Sequence, residues 1–470
     1  MTFAKNTLRS LAVIFAGLLL VAAAGAQTIK MPPHEKIVLK NGLTVLLMEK
    51  HGVPIVSFAA LVKSGAAADP LGQEGLASQT AALLRKGTKK RSAQQFAADL
   101  DYIGGSFESG ASADFSSISA EFLTTNLNTG LELFADALLQ PTFPQEEVDK
   151  SLAQSLDAVK GAKDDPRQVL NAYYDAYLYG GKGYGRAPDG DEISLKKITR
   201  DRIVKFYAAN YAPGNTILAI SGEFNAAELR VKLEETLGAW PAKTVPPVTI
   251  PAVGPAKGKR LLLVDKPDAT QTYFAIGNVE TATGDPDRVG IRVVNTIFGG
   301  RFTSMLNEAL RVESGLTYGV RSSFDPRKQP GPFGIYTFTK NDSTVQAMDL
   351  ALEVLRKLHK DGITAEQLAS AKSYLKGQFP PTIETSQALA QRIASDEFYG
   401  LDDNEVNQLE ARVDAVTLES ARQIIQKHFP EENLVFVLIG KAAAIAPAVT
   451  KYADKQDARE ISAPGFWPGS

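Results

Sequence analysis

Apolar residues recur along the chain with two periods, which predict strands and helices in alternation. In the first half, strands are predicted at residues 37–39, 43–47, 56–62, 116–122 and 217–221. Helices are predicted there at residues 76–84, 127–139, 146–160 and 203–207. Asn41 and Gly42 join the first two strands and favour a tight hairpin turn. The acids Asp164 and Asp165, which precede Pro166, are interpreted as loop residues that end a helix.

The same order of elements returns after a segment rich in proline. Five prolines lie between residues 241 and 255, and such a segment prefers extended geometry and suits a linker. Beyond it, strands are predicted at residues 261–264, 272–276, 333–338 and 434–439, and helices at residues 289–297, 347–358, 365–376 and 421–428. The recurrence favours an α+β fold of two tandem, duplicated α/β domains of the same topology. Chance recurrence of common elements is the alternative, because the two halves share few identical residues.

Composition narrows the classes of function. Of the 470 residues, 44% are hydrophobic and 22% are charged, which suits a folded protein and excludes wholesale disorder. The formal net charge of −2 lacks the basic excess that nucleic-acid binding needs, so no nucleic-acid partner is expected. The chain has no cysteine, which excludes disulfides, thiolate nucleophiles, iron–sulfur clusters and cysteine zinc sites.

The first 26 residues have the pattern of a secretory signal peptide. Lys5 and Arg9 precede an apolar run at residues 11–23, and a small-residue end, Ala24-Gly25-Ala26, follows. Cleavage near Ala26 would leave an exported chain without a membrane span, periplasmic in a bacterium with two membranes. An uncleaved anchor is the alternative, although the apolar run is short for a span.

Residues that commonly carry catalysis are few. No two of the four histidines lie three to five positions apart, so no helical turn presents a histidine pair to zinc. They are His34, His51, His359 and His428, and each is expected to be a surface residue. The Gly-x-Ser-x-Gly, Gly-x-Gly-x-x-Gly and phosphate-loop patterns are absent. From the residues alone, no active site is evident.

Several short motifs are spread in order over residues 36–441. They are Asn41-Gly42-Leu43-Thr44-Val45, Val62-Lys63-Ser64-Gly65, Gly75-Leu76-Ala77, Leu83-Leu84-Arg85-Lys86-Gly87-Thr88, Asn210-Tyr211-Ala212-Pro213-Gly214-Asn215, Ile220-Ser221-Gly222-Glu223-Phe224, Phe298-Gly299-Gly300-Arg301-Phe302, Leu310-Arg311 and Gly315-Leu316-Thr317-Tyr318. In this order and spacing the chain resembles the insulinase-like zinc peptidases, the pitrilysin or M16 family. The resemblance implies antiparallel-rich sheets with helices, in a clam-shell arrangement of two domains joined by the Pro-rich linker.

The family carries zinc on an inverted His-x-x-Glu-His motif, and this chain lacks those residues. The resemblance places the two histidines on Ser78 and Ala82, the glutamate on Ala81 and a third ligand on Ala158. Zinc needs imidazole or carboxylate donors and the attacking water needs a base, which these side chains do not supply. No cofactor is therefore expected in this chain, and zinc is expected in a partner subunit.

An arginine and a tyrosine that the family uses in its second half are kept, as Arg311 and Tyr318. The resemblance implies that they bind the substrate backbone and the developing oxyanion, which suits a guanidinium fork and a phenol. One helix face is predicted to hold Phe302, Met305, Leu306, Ala309 and Leu310, with Arg311 in the last turn. Leu316, Tyr318 and Val320 are predicted to share one face of the next strand. An ordinary helix-end cation and a strand tyrosine are the alternative.

The expected boundaries follow from the element order and the resemblance. They are a signal peptide at 1–26, an N-terminal M16-like domain with a degenerate zinc motif at 27–240, a linker at 241–258, a C-terminal M16-like domain with the Arg/Tyr pair at 259–445 and a tail at 446–470.

The chain resembles the non-catalytic subunit of bacterial two-subunit M16 peptidases. The resemblance implies a heterodimer in which Arg311 and Tyr318 complete the zinc site of a related subunit with an intact His-x-x-Glu-His motif, for hydrolysis of peptides. A scaffold or peptide-binding protein without proteolysis is the second hypothesis. An independent enzyme of another mechanism is the third, and it would require activity of the pure protein that chelators leave unchanged.

Overall fold

A six-stranded mixed sheet forms the centre of the N-terminal domain. The computed structural model describes residues 29–469, and the expected signal peptide at residues 1–26 lies outside the described residues. The strands are β1 (Glu35–Val38), β2 (Thr44–Glu49), β3 (Ile55–Val62), β4 (Ser106–Ala111), β5 (Ser116–Leu123) and β6 (Thr216–Gly222). Their order across the sheet is β1-β2-β6-β3-β5-β4. In β5, Ile118, Ala120 and Phe122 are buried, as the alternation predicts.

The first half of the chain also forms helices, most of which pack on this sheet. They are α1 (Leu76–Ala82), α2 (Ala93–Tyr102), α3 (Leu127–Leu139), α4 (Gln145–Ala162), α5 (Pro166–Tyr179), α6 (Arg200–Asn210) and α7 (Ala226–Thr236). Asp165 caps α5, because its side chain accepts the backbone N–H of Arg167, and Pro166 takes the first helical position. The interpretation of Asp165 as a helix-ending residue is therefore wrong. It begins a helix that the apolar pattern did not predict.

The sheet of the second domain repeats five of the six strands of the first sheet. Its strands are β7 (Arg260–Asp265), β8 (Gln271–Val279), β9 (Val320–Phe324), β10 (Pro332–Lys340), β11 (Val435–Gly440) and β12 (Lys455–Glu460), in the order β12-β7-β11-β8-β10-β9. In the first sheet β6 is parallel to β2 and antiparallel to β3. In the second sheet β11 is parallel to β7 and antiparallel to β8 in the same way. The predicted duplication is confirmed. Only the outer strand differs, since β1 runs antiparallel to β2 whereas β12 runs parallel to β7.

The helices of the second half complete the fold. They are α8 (Arg288–Phe298), α9 (Met305–Asn307), α10 (Thr344–Asp361), α11 (Ala365–Gln378), α12 (Ser386–Tyr399), α13 (Asn404–Asn407), α14 (Leu409–Asp414), α15 (Leu418–His428) and α16 (Ala442–Val449). The segment at residues 241–258, expected as a linker, contains neither helix nor strand. In residues 29–469, every helix is too short or too polar to cross a membrane.

Each domain covers one face of the other domain's sheet with a helix. α12, from the second half of the chain, packs against β3 and β6 of the first sheet. Its buried residues Ala390, Ile393 and Ala394 share an apolar core with Ala59 and Ala219 of that sheet. α5, from the first half, packs in the same way against β8 and β11. An exchanged pair of helices therefore joins the domains, in addition to the linker.

Buried polar contacts cross the same boundary. The carboxylate of Asp114, between β4 and β5, accepts hydrogen bonds from the hydroxyls of Tyr184 (2.6 Å) and Tyr399 (3.1 Å) and from the backbone N–H of Lys328 (2.9 Å). The hydroxyl of Tyr174 in α5 donates to a backbone carbonyl of β10 at 2.7 Å. Because buried polar groups must be paired, these contacts fix how the two domains are placed.

The C-terminal residues belong to the second sheet. The segment expected as a tail, residues 446–470, includes the end of α16 and all of β12. Beyond β12, Phe466 packs edge-on against Tyr173 of α5, with 5.1 Å between ring centroids. The described part of this segment therefore completes the sheet and also contacts the exchanged helix α5.

Candidate functional site

The helix aligned with the zinc motif, α1, is fixed at its N-terminus by a buried carboxylate. Asp69 accepts the backbone N–H groups of Gly75 at 2.9 Å and of Ala77 at 2.8 Å. Burial raises the pKa of Asp69 to about 7, although these two hydrogen bonds act in the opposite direction. Gly75 has a φ of 93°, a left-handed conformation that glycine adopts without strain. The first turn of α1 is therefore held in one position.

A cavity of about 500 Å³ lies where α1, α4 and α5 meet. Ser78 and Ala158 both line this cavity, so the structure brings these two expected ligand positions together. Ala82 lines a separate crevice between α1 and α4, and Ala81 is fully buried. Inside the cavity, Ser78 Oγ donates a hydrogen bond of 2.7 Å to Asp189 Oδ1.

A neutral side-chain network links α1 to α4 beside the cavity. Ser151 Oγ donates to Gln79 Oε1 at 2.8 Å, and Gln79 Nε2 donates to Ser155 Oγ at 2.7 Å. Gln79 is buried, and both ends of its amide are paired, as a buried amide requires. The two helices are therefore held together by amide and hydroxyl groups.

The residues at this place do not fit a zinc ion. The four aligned positions offer one hydroxyl and three methyl groups, whereas protein zinc sites use imidazole, thiolate or carboxylate donors. The two carboxylates that line the cavity each already accept a hydrogen bond from another side chain. Asp189 accepts from Ser78, and Asp175 accepts from Arg327 at 2.7 Å. These residues supply neither a metal site nor a base for an attacking water.

Arg311 lies in a π-helical segment, Glu308–Glu313, that follows the single turn α9. Its guanidinium lies 4.7 Å from the centroid of the Phe302 ring, a cation–π contact. Phe302 is 59% exposed and precedes the helix, which begins only at Met305, so its predicted place on the helix face is wrong. The guanidinium of Arg311 makes no hydrogen bond or ion pair to residues 29–469, and its donors face solvent.

Tyr318 lies in the loop before β9, and its predicted place on a strand is wrong. β9 begins at Val320, and Leu316 and Tyr318 precede it. Thr317 turns the chain here, because its hydroxyl accepts the N–H of Gly319 at 3.1 Å and lies 3.0 Å from the carbonyl oxygen of Gly319. Tyr318 is 82% exposed, and its hydroxyl has no hydrogen-bond partner in the described part of the chain. The loop presents the phenol to solvent.

The Arg311 region and the α1 cavity lie on two sides of α5. Arg311 and Phe302 line a second cavity, of about 490 Å³, together with Arg167 of α5. Asn171, one turn along α5, lines both this cavity and the one at α1. The structure therefore does not place Arg311 in the same cavity as Ser78.

Two family models match the chain over most of its length. One, described as insulinase (peptidase family M16), covers residues 44–188. The other, described as the peptidase M16 inactive domain, covers residues 197–375. The chain belongs to the M16 peptidase family.

Curated relatives described as zinc proteases match along most of their own length. An uncharacterised zinc protease of Streptomyces coelicolor is 24% identical over 416 residues, which are 86% of this chain and 90% of that protein. An uncharacterised zinc protease of Rickettsia bellii is 27% identical over 340 residues, which are 72% of this chain and 81% of that protein.

Solved structures show the same fold. The peptidase M16 inactive domain of Pseudomonas fluorescens matches with a TM-score of 0.81 and 25% identity, covering 87% of this chain and 98% of that one. The periplasmic protease PqqL of Escherichia coli matches with a TM-score of 0.72 and 16% identity, covering 91% of this chain and 50% of that one.

Apart from the M16 motif positions, the structure holds a buried histidine that the sequence did not predict. His428 is 3% exposed, so its expected surface position is wrong. Its Nδ1 lies 2.8 Å from Glu280 Oε2, and its Nε2 lies 3.0 Å from Asp287 Oδ2. Burial by itself lowers the pKa of His428, but the two hydrogen bonds outweigh burial and the pKa is raised. Asp285, Asp287 and His428 form the one group of three metal-type side chains found in residues 29–469, and Lys427 also binds Asp287.

Proposed function

We propose that this chain is the non-catalytic subunit of a heteromeric M16 zinc metallopeptidase. Two facts together carry the proposal. The zinc positions hold no ligand side chain, as Ser78, Ala81, Ala82 and Ala158, while the donors of Arg311 and Tyr318 are exposed and unused. In this role the chain does not hydrolyse peptides by itself. A related subunit with an intact His-x-x-Glu-His motif holds the zinc, and this chain contributes the two donors to that site.

The chemistry of the two side chains suits this task. A guanidinium offers several N–H donors in a rigid fork, which match the carbonyl oxygens of an extended peptide. A phenol donates one hydrogen bond to an oxygen that gains negative charge in the transition state. The stacking of Arg311 on Phe302 restricts the guanidinium before substrate arrives, so less side-chain entropy is lost on binding.

Two further observations support a paired, exported protease. This chain matches half the length of PqqL, which is consistent with a unit of this size acting as one half of a protease. The pattern of residues 1–26 supports export, and we place the complex in the periplasm of a bacterium with two membranes. Peptides are its substrates.

The test is peptide hydrolysis by the complex reconstituted from this chain and an M16 chain that has the zinc motif. Arg311→Ala and Tyr318→Phe should each lower the turnover of the complex at least about tenfold, since single oxyanion donors contribute about 10²–10³ in rate elsewhere. Gel filtration should show that both variants still assemble. Unchanged turnover in both variants would refute the active-site role.

Matched controls separate the two donors from ordinary exposed side chains. Tyr102 is 91% exposed on α2, so Tyr102→Phe removes an equally exposed hydroxyl outside the proposed site. Arg422 is an exposed arginine on α15, so Arg422→Ala removes an equivalent charge. Both control variants should retain the turnover of the wild type. A similar loss in the controls would show that the assay responds to surface charge or polarity in general.

A peptide-binding protein without proteolysis is the second candidate. The α1 cavity of about 500 Å³ favours it, because the side chain of Asn171 lines that cavity and has no hydrogen-bond partner in residues 29–469. This function predicts that the isolated chain binds unfolded peptides and that Asn171→Ala weakens the binding. It also predicts that no partner subunit co-purifies from the native host.

A further inference from the structure

A third cavity, of about 370 Å³, lies in the helical layer of the second domain. It is bounded by α8, α12 and the segment formed by α13 and α14, with Phe324 at the end of β9 as part of its wall. It is separate from the α1 cavity and from the cavity beside Arg311, with which it shares no lining residue. Its volume falls in the range of small-molecule sites in proteins.

The charges on the wall of this cavity do not balance. Arg288, Arg292 and Arg392 line it, and Glu405 is the one carboxylate among its lining residues. Glu405 is already shared, because it accepts from Arg288 Nε at 2.8 Å and from Arg412 Nη1 at 2.9 Å. Arg392 is held by Asp396, which does not line this cavity. The wall therefore carries a net excess of positive charge.

Arg292 is the arginine without a partner. Its guanidinium makes no ion pair or hydrogen bond to residues 29–469. Arg292 is an exposed residue, and its pKa is lowered, first because partial desolvation of the guanidinium penalises the charged form and second because Arg392 repels it. Arg288 lies one helical turn before Arg292 on α8, so the two guanidinium groups face the cavity from the same side of the helix. The unpaired guanidinium of Arg292 and the nearby guanidinium of Arg288 both favour binding of an anion.

The rest of the wall is apolar. Phe324, Phe379 and Leu409 line the cavity beside the arginines, and Phe379 and Leu409 are otherwise buried. A guanidinium binds a carboxylate through two parallel hydrogen bonds, and aromatic walls bind an apolar group next to it. We infer that this cavity binds a carboxylate that carries an adjacent apolar group, with Arg292 as its principal ligand. The free C-terminus of a peptide and a small free acid share this chemistry. The site is independent of the function proposed above.

The test is calorimetry on the full chain with probes that differ only in charge. N-acetylphenylalanine should bind, and its C-terminal amide should bind at least about tenfold more weakly, because the amide lacks the anionic group. Benzoate against benzamide tests the small-acid source in the same way. A peptide-terminus site predicts that N-acetylphenylalanine binds more tightly than benzoate, and a small-acid site predicts the reverse. Equal binding of each acid and its amide would overturn the inference. Inorganic phosphate that binds as tightly as the acids would also overturn it.

Variants of Arg292 separate a binding role from a structural one. Arg292→Gln should weaken binding of the preferred acid at least about tenfold, and Arg292→Lys should restore part of it, because lysine keeps the charge without the fork. Arg422→Gln, an exposed arginine on α15, should bind like the wild type. Without ligand, Arg292→Gln should melt at or above the wild-type temperature, since it removes repulsion and no pairing. A lower melting temperature, or unchanged binding, would overturn the assignment.

Discussion

Truncation of Ile393 tests whether the exchanged helices make the two domains one folding unit. Ile393 belongs to the second half of the chain by sequence, but it lies on α12 in the core that α12 shares with the first sheet. It is 3% exposed, and it borders Leu46 of β2 at the edge of a crevice. Ile393→Ala should therefore destabilise the N-terminal domain as well as the C-terminal one.

The magnitude follows from burial and from the crevice. Truncation of a buried isoleucine to alanine lowers the free energy of unfolding by about 2–5 kcal/mol. Because the crevice beside Ile393 lets neighbouring groups relax, we expect the lower half of that range, about 2–3 kcal/mol. Ile393→Val removes one methylene group and should lower it by about 1 kcal/mol. Both changes are sizeable against a typical total stability of about 5–15 kcal/mol.

The two tryptophans provide one reporter in each part of the molecule. Trp240 is buried in the core of the first domain, and Trp467 lies 6.2 Å from the Tyr177 ring of α5, beside the second sheet. Trp467→Phe and Trp240→Phe backgrounds each leave one reporter for urea unfolding by fluorescence. In both backgrounds, Ile393→Ala should shift the unfolding midpoint by the same amount. A shift confined to the Trp467 signal, with the Trp240 signal unchanged, would show that the domains unfold independently and that the reasoning is wrong.

Three further predictions test other features. The purified chain should bind no stoichiometric zinc and cleave no peptide, because the aligned zinc positions lack donor side chains. Metal analysis and a peptide assay with and without chelator measure this. Chelator-sensitive turnover by the pure chain would contradict it. A protease site inserted at the exposed residue Thr244 should allow the linker to be cut, and the two halves should still co-elute on gel filtration. Separate elution of the halves would show that the exchanged helices do not hold the domains together. His428→Gln should lower the free energy of unfolding most at acidic pH. Because the pKa of His428 is raised in the folded state, protonated His428 stabilises the fold fully below the unfolded-state pKa near 6.5, and this stabilisation is lost as the pH rises through the folded-state pKa. Urea unfolding at several pH values measures this, and a difference from wild type that grows with pH would have the wrong sign.

The duplicated fold could be predicted from the sequence because the two halves have the same order of helices and strands, although they share few identical residues. Period-two alternation and turn residues identified most strands of each sheet, but β4 and β12 were not predicted. α5 and α12 were missed, and for α5 the signal was present. Asp165 followed by Pro166 is a helix start, with a capping carboxylate and a residue suited to the first helical position. Which sheet a helix covers depends on tertiary contacts, and a pattern of apolar residues does not specify the partner surface.

The residues of the candidate site were chosen from the family resemblance, and their predicted local geometry was only partly right. The exposure of Tyr318 depends on the side chain of Thr317, which interrupts an apolar alternation that otherwise favours a strand. His428 gave no sequence signal, because its partners Glu280 and Asp287 lie 148 and 141 positions away. The cavity that Arg292 shares with Arg392 is likewise a property of the assembled helices, because the two arginines lie 100 positions apart in the sequence.

The exchange of helices imposes an order on biosynthesis. The first sheet is complete when β6 leaves the ribosome, but the helix that covers its second face, α12, is still untranslated. Roughly 180 residues separate the end of β6 from the end of α12. At a translation rate of about 5–20 residues per second, the apolar face of the first sheet therefore stays uncovered for roughly 10–35 s. During that interval Leu46, Ala59 and Ala219 are exposed to other nascent chains. A ribosome-bound chain of this protein should therefore depend on a chaperone until residue 399 has emerged, and a stop codon between β6 and α12 should yield an aggregating fragment and no folded N-terminal domain.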